Sequence, residues 1–105
     1  MPRSFEEREN SFETQFAHDE TLRFKAVARR NKAVAMWVAG LKGLSAEAAE
    51  NYATDFVAAQ VGHSEKEIGA TLRSELKGFD ISDHRLDKKM EDEMAAAIAS
   101  VKAGR

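Results

Sequence analysis

A chain of 105 residues with 43% hydrophobic and 32% charged side chains has the composition of one small globular domain, too apolar to stay disordered. It has no cysteine, which excludes disulfides, thiol catalysis and cysteine-ligated metals, and its one proline is Pro2, so later helices run uninterrupted. Net charge is −2, and it is unevenly spread: residues 1–20 carry two basic and six acidic side chains, residues 21–42 six basic and none acidic, and residues 43–105 eight basic and twelve acidic.

Residues 3–17 (RSFEERENSFETQFA) are mostly charged, with Phe5, Phe12 and Phe16 as their large apolar groups. On a helix of 100° per residue the three rings fall within about 40° of one another. The face is narrow, and a segment of about 15 residues is marginal as an isolated helix in water. Residues 1–18 are therefore expected to form a polar helical arm, partly disordered or weakly docked, beside a four-helix domain over 19–105.

The run from Phe16 to Leu44 holds the only Trp and the most apolar stretch. Phe24, Val27, Ala28 and Asn31 recur at i, i+3, i+4 and i+7, one face of an amphipathic helix, so about one and a half exposed turns are expected to lead into a buried end. Ala33 to Leu41 (AVAMWVAGL) is apolar on every side, which predicts a helix end wrapped by other helices, with Trp37 in the core. Gly43 is a helix stop.

Ser45 is an N-cap, with Glu47 in the first turn. The helix that follows carries a stripe of Ala49, Tyr52, Ala53, Phe56 and Gln60, widened by Val57 and ended by Gly62. Ser64 and Glu67 have the spacing of a capping box. Ile68, Leu72 and Leu76 then form the face of a short helix that Gly78 closes, with Phe79 tucked under the turn. Ser82 caps the last helix, and Ile81 is placed to staple to Leu86. Its core face is Leu86, Met90, Met94, Ala97, Ile98 and Val101. Nothing alternates with period two. The fold class is all-α, a four-helix bundle-like domain with a polar N-terminal arm.

No catalytic constellation emerges. The six glycines are scattered and form no phosphate loop. His18, His63 and His84 lie in different segments without metal-ligand spacing, and Glu91, Asp92 and Glu93 point to different sides of a helix. The chain is expected to be no enzyme and to hold no cofactor or metal. A net negative charge and acidic flanks argue against nucleic acid. No apolar run approaches the roughly 18 residues of a membrane span, and the acidic start is unlike a signal peptide, so a cytoplasmic protein without membrane insertion is expected. Internal charge complementarity accounts for the basic run between acidic segments. Alternatively, Arg23, Lys25, Arg29 and Arg30, with Lys32, form a phosphate-binding face for a free nucleotide.

The motifs along the chain carry a resemblance. They are Phe5-Glu6-Glu7-Arg8-Glu9, then Phe-Ala-His-Asp at Phe16 to Asp19, then Ala-Arg-Arg-Asn-Lys at Ala28 to Lys32, followed by Trp37, Gly43-Leu44 and Tyr52-Ala53. Together they resemble the zeta-subunit family of alphaproteobacterial F-type ATP synthases, small inhibitors of the ATPase. One departure is Ala35, where that pattern has glycine. The resemblance implies a four-helix protein, monomeric when free, that binds the catalytic head of the ATP synthase and so associates with the cytoplasmic face of the inner membrane. It implies that the N-terminal arm enters a catalytic α/β-subunit interface and blocks rotation in the hydrolysis direction. Phe5, Arg8, Phe12, Phe16, His18 and Asp19 are the partner-binding candidates it gives. It also implies weak binding of ATP or ADP, for which Arg23, Lys25, Arg29 and Arg30 are the candidates. The alternative reading is a small regulatory module whose main activity is adenine-nucleotide binding on that basic helix.

Overall fold

Side-chain oxygens start every helix of the computed structural model, which describes residues 19–104. Four helices follow one another: α1 (Glu20–Leu41), α2 (Ala46–Ala59), α3 (Glu65–Glu75) and α4 (Asp83–Lys102), with no strand among the described residues. Asp19 accepts from the Leu22 amide, Ser45 from Ala48, Ser64 from Glu67 and Ser82 from Arg85. Each cap satisfies an amide that has no partner within its helix, and losing one typically costs about 1 kcal/mol. At Ser64 the cap is a reciprocal box, since Glu67 Oε1 accepts from the Ser64 amide at 2.7 Å.

The turn between α1 and α2 needs a left-handed residue, which Gly43 supplies with φ 75°. The Gly43 amide then reaches Gly40 O and the Leu44 amide reaches Ala39 O, both at 3.1 Å, the paired bonds of a Schellman ending.

α1 is the hub, packed on α2 along one side and on α4 along another. Its second half joins the main core: Val34, Ala35 and Val38 meet Ala53 and Phe56 of α2, Ile68, Leu72 and Leu76 of the α3 segment, and Leu86 of α4. Ile81 packs against this cluster, as the staple to Leu86 requires. The first half of α1 builds a smaller apolar cluster, in which Ala26 meets Ala97, Ile98 and Val101 with Leu22 and Met94 beside them. Early α1 residues thus meet late α4 residues, and late α1 residues meet Leu86, so the two helices run antiparallel. Ala35 is fully buried, its methyl filling core space where glycine would leave none.

Two expectations are corrected. Trp37 is half-buried at the edge of the main core, with Lys89 Nζ 5.7 Å from its ring centroid. The lysine stem covers what a fifth helix would otherwise cover. Phe79 is 37% exposed and does not tuck under its turn. The exposed lead-in is short, as expected: Glu20, Thr21, Arg23, Phe24 and Lys25 are exposed, and burial begins at Ala26 and takes in Arg30 and Asn31, because α4 and the start of α3 close over them.

Candidate functional site

Of the sequence-derived partner-binding residues, Phe5, Arg8, Phe12, Phe16 and His18 lie outside the described residues. Asp19 is the N-cap of α1, its Oδ1 3.2 Å from the Leu22 amide.

The four candidate phosphate-binding cations do not converge. At 100° per residue, Arg23 and Arg30 fall on one side of α1, while Lys25 and Arg29 fall roughly opposite. Arg30 is committed elsewhere. Its side chain is 2% exposed, its Nη1 and Nη2 donate to the two Glu65 oxygens at 2.7 and 2.8 Å, and its Nε donates to Asn31 Oδ1 at 2.8 Å. This forked pairing leaves no room for a phosphate at the same donors. Hydrogen bonding from Arg30 holds the Glu65 carboxyl below the usual carboxylate range, against the opposing effect of burial. Arg29 donates to Ser100 Oγ at 2.6 Å, tying α1 to α4. Arg23 and Lys25 are exposed.

Two further links tie the basic helix to acidic neighbours. Lys32 pairs with Glu50 at 2.8 Å, and Lys42 with Glu75 at 3.2 Å. Glu75 also accepts from the Tyr52 hydroxyl at 2.6 Å, and Lys42 sits over the Tyr52 ring. Burial, reinforced by the hydrogen bond to Glu75 and its charge, pushes the Tyr52 hydroxyl well above its ordinary pKa. Glu75 is correspondingly held low, by the hydrogen bonds from Tyr52 and Lys42. Charge complementarity inside the fold thus uses up much of the basic run.

A groove of about 260 Å³ opens where early α1 meets the turn from α2 to α3. Val27, Ala28 and Val57 line it, and Phe24 and Val61 stand at it as the two most exposed large apolar side chains described, 62% and 72% exposed. At its polar end, His63 Nδ1 lies 3.1 Å from Oε1 of the buried Gln60, beside Glu65 and Asn31. Glu20 and Arg23 lie at the end where residues 1–18 join the body. The face of Phe24, Val27, Ala28 and Asn31 noted in the sequence is therefore one wall of a groove. Its other wall was missed: Val61 lies beyond the α2 stripe, held at the turn by Gly62 with φ 85°. An apolar residue just before a helix-stopping glycine and off the core stripe is the signal that marks it.

A second hollow surrounds the outer edge of Trp37, lined by His84, Arg85, Lys88, Lys89 and Asp92. Lys88 and Lys89 pair along α4 with Asp92 and Glu93. The sequence had placed the cations of interest on α1, because their run there is contiguous. On α4 the cations Arg85, Lys88 and Lys89 are spaced at i, i+3 and i+4, which puts the three along one flank. With Lys88 and Lys89 held in those pairs, Arg85 is the cation left beside the aromatic edge for an anionic ligand.

Among the described residues, no group of three or more His, Cys, Asp or Glu side chains is placed to hold a metal ion. No described helix is long and apolar enough to cross a membrane. No curated protein and no solved structure gave a match to the chain. The family model described as ATPase inhibitor subunit zeta matches residues 2–100, nearly the whole sequence and including the segment before α1. A match over this much of the sequence shows that the chain belongs to the ATPase inhibitor subunit zeta family.

Proposed function

We propose that the protein inhibits ATP hydrolysis by the F-type ATP synthase, with residues 1–18 as its inhibitory element and the four-helix body as the platform that carries it. The observation that carries this reading is the family match, which begins at residue 2 and so takes in the segment with Phe5, Phe12 and Phe16. In this mechanism the arm folds into a catalytic α/β-subunit interface of the head and blocks rotation in the hydrolysis direction. The protein then works at the cytoplasmic face of the inner membrane, held there by the synthase. Aromatic anchors dominate many interfaces, whereas rim charges mainly set approach rate and salt dependence. Ordering some 15 residues on binding costs free energy that the rings must offset.

The test is ATP hydrolysis by a matched synthase head with the wild type, with Phe12→Ala/Phe16→Ala and with Glu6→Gln/Glu13→Gln. The aromatic variant is expected to lose most inhibition while its thermal transition survives. The charge variant is expected to change mainly the association rate, more at low salt than at high. Full inhibition by the aromatic variant, or none by the intact protein, refutes the mechanism.

A second reading, weak binding of ATP or ADP, is favoured by Arg85 beside the open edge of Trp37 rather than by α1, where Arg30 is occupied. In this reading the base packs on the indole edge and the phosphates meet Arg85, His84 and Lys88. ATP should then change Trp37 fluorescence, Arg85→Ala should weaken that response, and Arg23→Ala should not. A response lost with Arg23→Ala and kept with Arg85→Ala refutes this placement.

A further inference from the structure

We propose that the groove between early α1 and the α2–α3 turn is the resting berth of the chain's own residues 5–16, so that the free protein keeps its inhibitory segment docked on its body. Three observations select this occupant. The first is position: Asp19, with an extended backbone (φ −130°, ψ 98°), breaks the helical direction just before Glu20, which lies at one end of the groove. The second is reach. Phe16 precedes Asp19 by three residues, within about 10 Å of extended chain, and Phe12 follows at one helical turn, about 6 Å further. The groove runs beside α1 from Glu20 to Asn31, about 16 Å at 1.5 Å per residue, so both rings can lie along it next to Phe24 and Val61.

The third is charge. The segment before α1 is acidic, with five acidic and two basic side chains in residues 1–19, and the helix it would lie against carries no acidic residue after its first, Glu20. Arg23 lines the groove itself and is exposed. A tether this short supplies a millimolar effective concentration, so even a contact of millimolar intrinsic strength is about half formed. Docking then competes with every other use of the same rings. With half of the arm docked, apparent affinity for a competitor falls about twofold, and proportionally more as the docked fraction rises. Only this consequence for inhibition rests on the function proposed above; the contact itself does not.

The absence of cysteine makes the test direct, because a single Ser11→Cys substitution carries one nitroxide label on the arm. Amide resonances of the full chain are read with the label oxidised and reduced. The proposal expects selective broadening at Val57, Val61, Gly62 and His63, with little at Ala95 and Ala96 on exposed α4, and no change on tenfold dilution. Val61→Glu, at a site too exposed to be needed for folding, should abolish the broadening, and so should Phe12→Ala/Phe16→Ala. With a matched synthase head, Val61→Glu should then speed the onset of inhibition about twofold or more. Uniform or absent broadening overturns the proposal. So does broadening that fades on dilution and passes from labelled to unlabelled chains, which would assign the groove to a second copy. Loss of inhibition in Val61→Glu would assign it to the synthase and overturn it as well. The labelling needs no synthase, so its failure is distinct from failure of the inhibitory mechanism.

Discussion

Removing Glu65 should cost more than removing the buried arginine it holds. Arg30 is 2% exposed and Glu65 56%, with a forked hydrogen bond at 2.7 and 2.8 Å between them. Breaking a buried ion pair by deleting one partner typically costs about 3–5 kcal/mol, because the remaining charge is stranded. Solvent reaches the Glu65 end here, which lowers the figure to about 2–3 kcal/mol, the range of a hydrogen bond to a charged group. Glu65→Ala leaves a guanidinium with Asn31 as its only hydrogen-bond acceptor among the described side chains. Arg30→Met leaves only a carboxylate that water can solvate, and keeps an apolar stem in the packed site. The single change at Arg30 should therefore cost about half as much, and Arg30→Met/Glu65→Ala should be more stable than Glu65→Ala alone. At about 4–8 °C per kcal/mol for a domain of this size, Glu65→Ala should lower Tm by about 10–20 °C. Thermal melts of the three variants by circular dichroism decide the matter. A double mutant no more stable than Glu65→Ala, or a Tm drop of under about 4 °C in Glu65→Ala, would refute the stranded-charge argument.

The carboxyls of Glu65 and Glu75 are held low in the fold, so their stabilisation is present above the ordinary carboxylate pKa and lost as pH falls through their lowered values; Glu65→Gln should flatten the acid limb of Tm against pH. Tyr52 is pushed the other way, so the unfolded phenol ionises first and stability drops as pH rises above about 10. Tyr52→Phe should remove that alkaline loss in melts between pH 9 and 11. Trp37→Ala, at a half-buried edge position, should cost about 2 kcal/mol, less than the 3–5 of a fully enclosed Trp, and a polar quencher should reach the native indole in part. Deleting residues 1–15 should leave a cooperative thermal transition, since the caps and both apolar clusters lie within α1 to α4; loss of that transition would make the arm part of the core.

The readable parts of this fold are those written at short range. Ser45, Ser64 with Glu67, and Ser82 declare helix starts by spacing alone, and Ile68, Leu72 and Leu76 declare a buried face by their period of four. All of them stand in the structure as that chemistry requires. What stayed hidden depends on a second segment. Nothing local says that Arg30 is buried, because its partner is 35 residues away and only the turn after α2 brings it near. The all-apolar run through Trp37 could not say that one side would be covered by a lysine stem instead of a helix. The groove is hidden for the same reason, since Phe24 and Val61 become one surface only when α1 and α2 fold back on each other at Gly43.

The same pairing decides how the basic stretch of residues 21–42 can act. Of its six cations, Arg30, Lys32 and Lys42 face acidic partners in the body, and Arg29 is tied to Ser100. The exposed pair Lys32–Glu50 contributes little stability, about 0–1 kcal/mol, yet it still cancels field at a distance. Within the described residues Arg23 and Lys25 form no ion pair, and both lie in the first two turns of α1. Of this run, the cations left without an ion pair therefore lie at one end of α1, the end from which the acidic residues 1–18 depart. At 0.1 M salt such a field extends about 10 Å, which covers the groove and the first turns of α1 but not the far end of the bundle. Positive charge left unpaired on α1 beside the arm steers that arm, or any acidic surface competing with it, to one place.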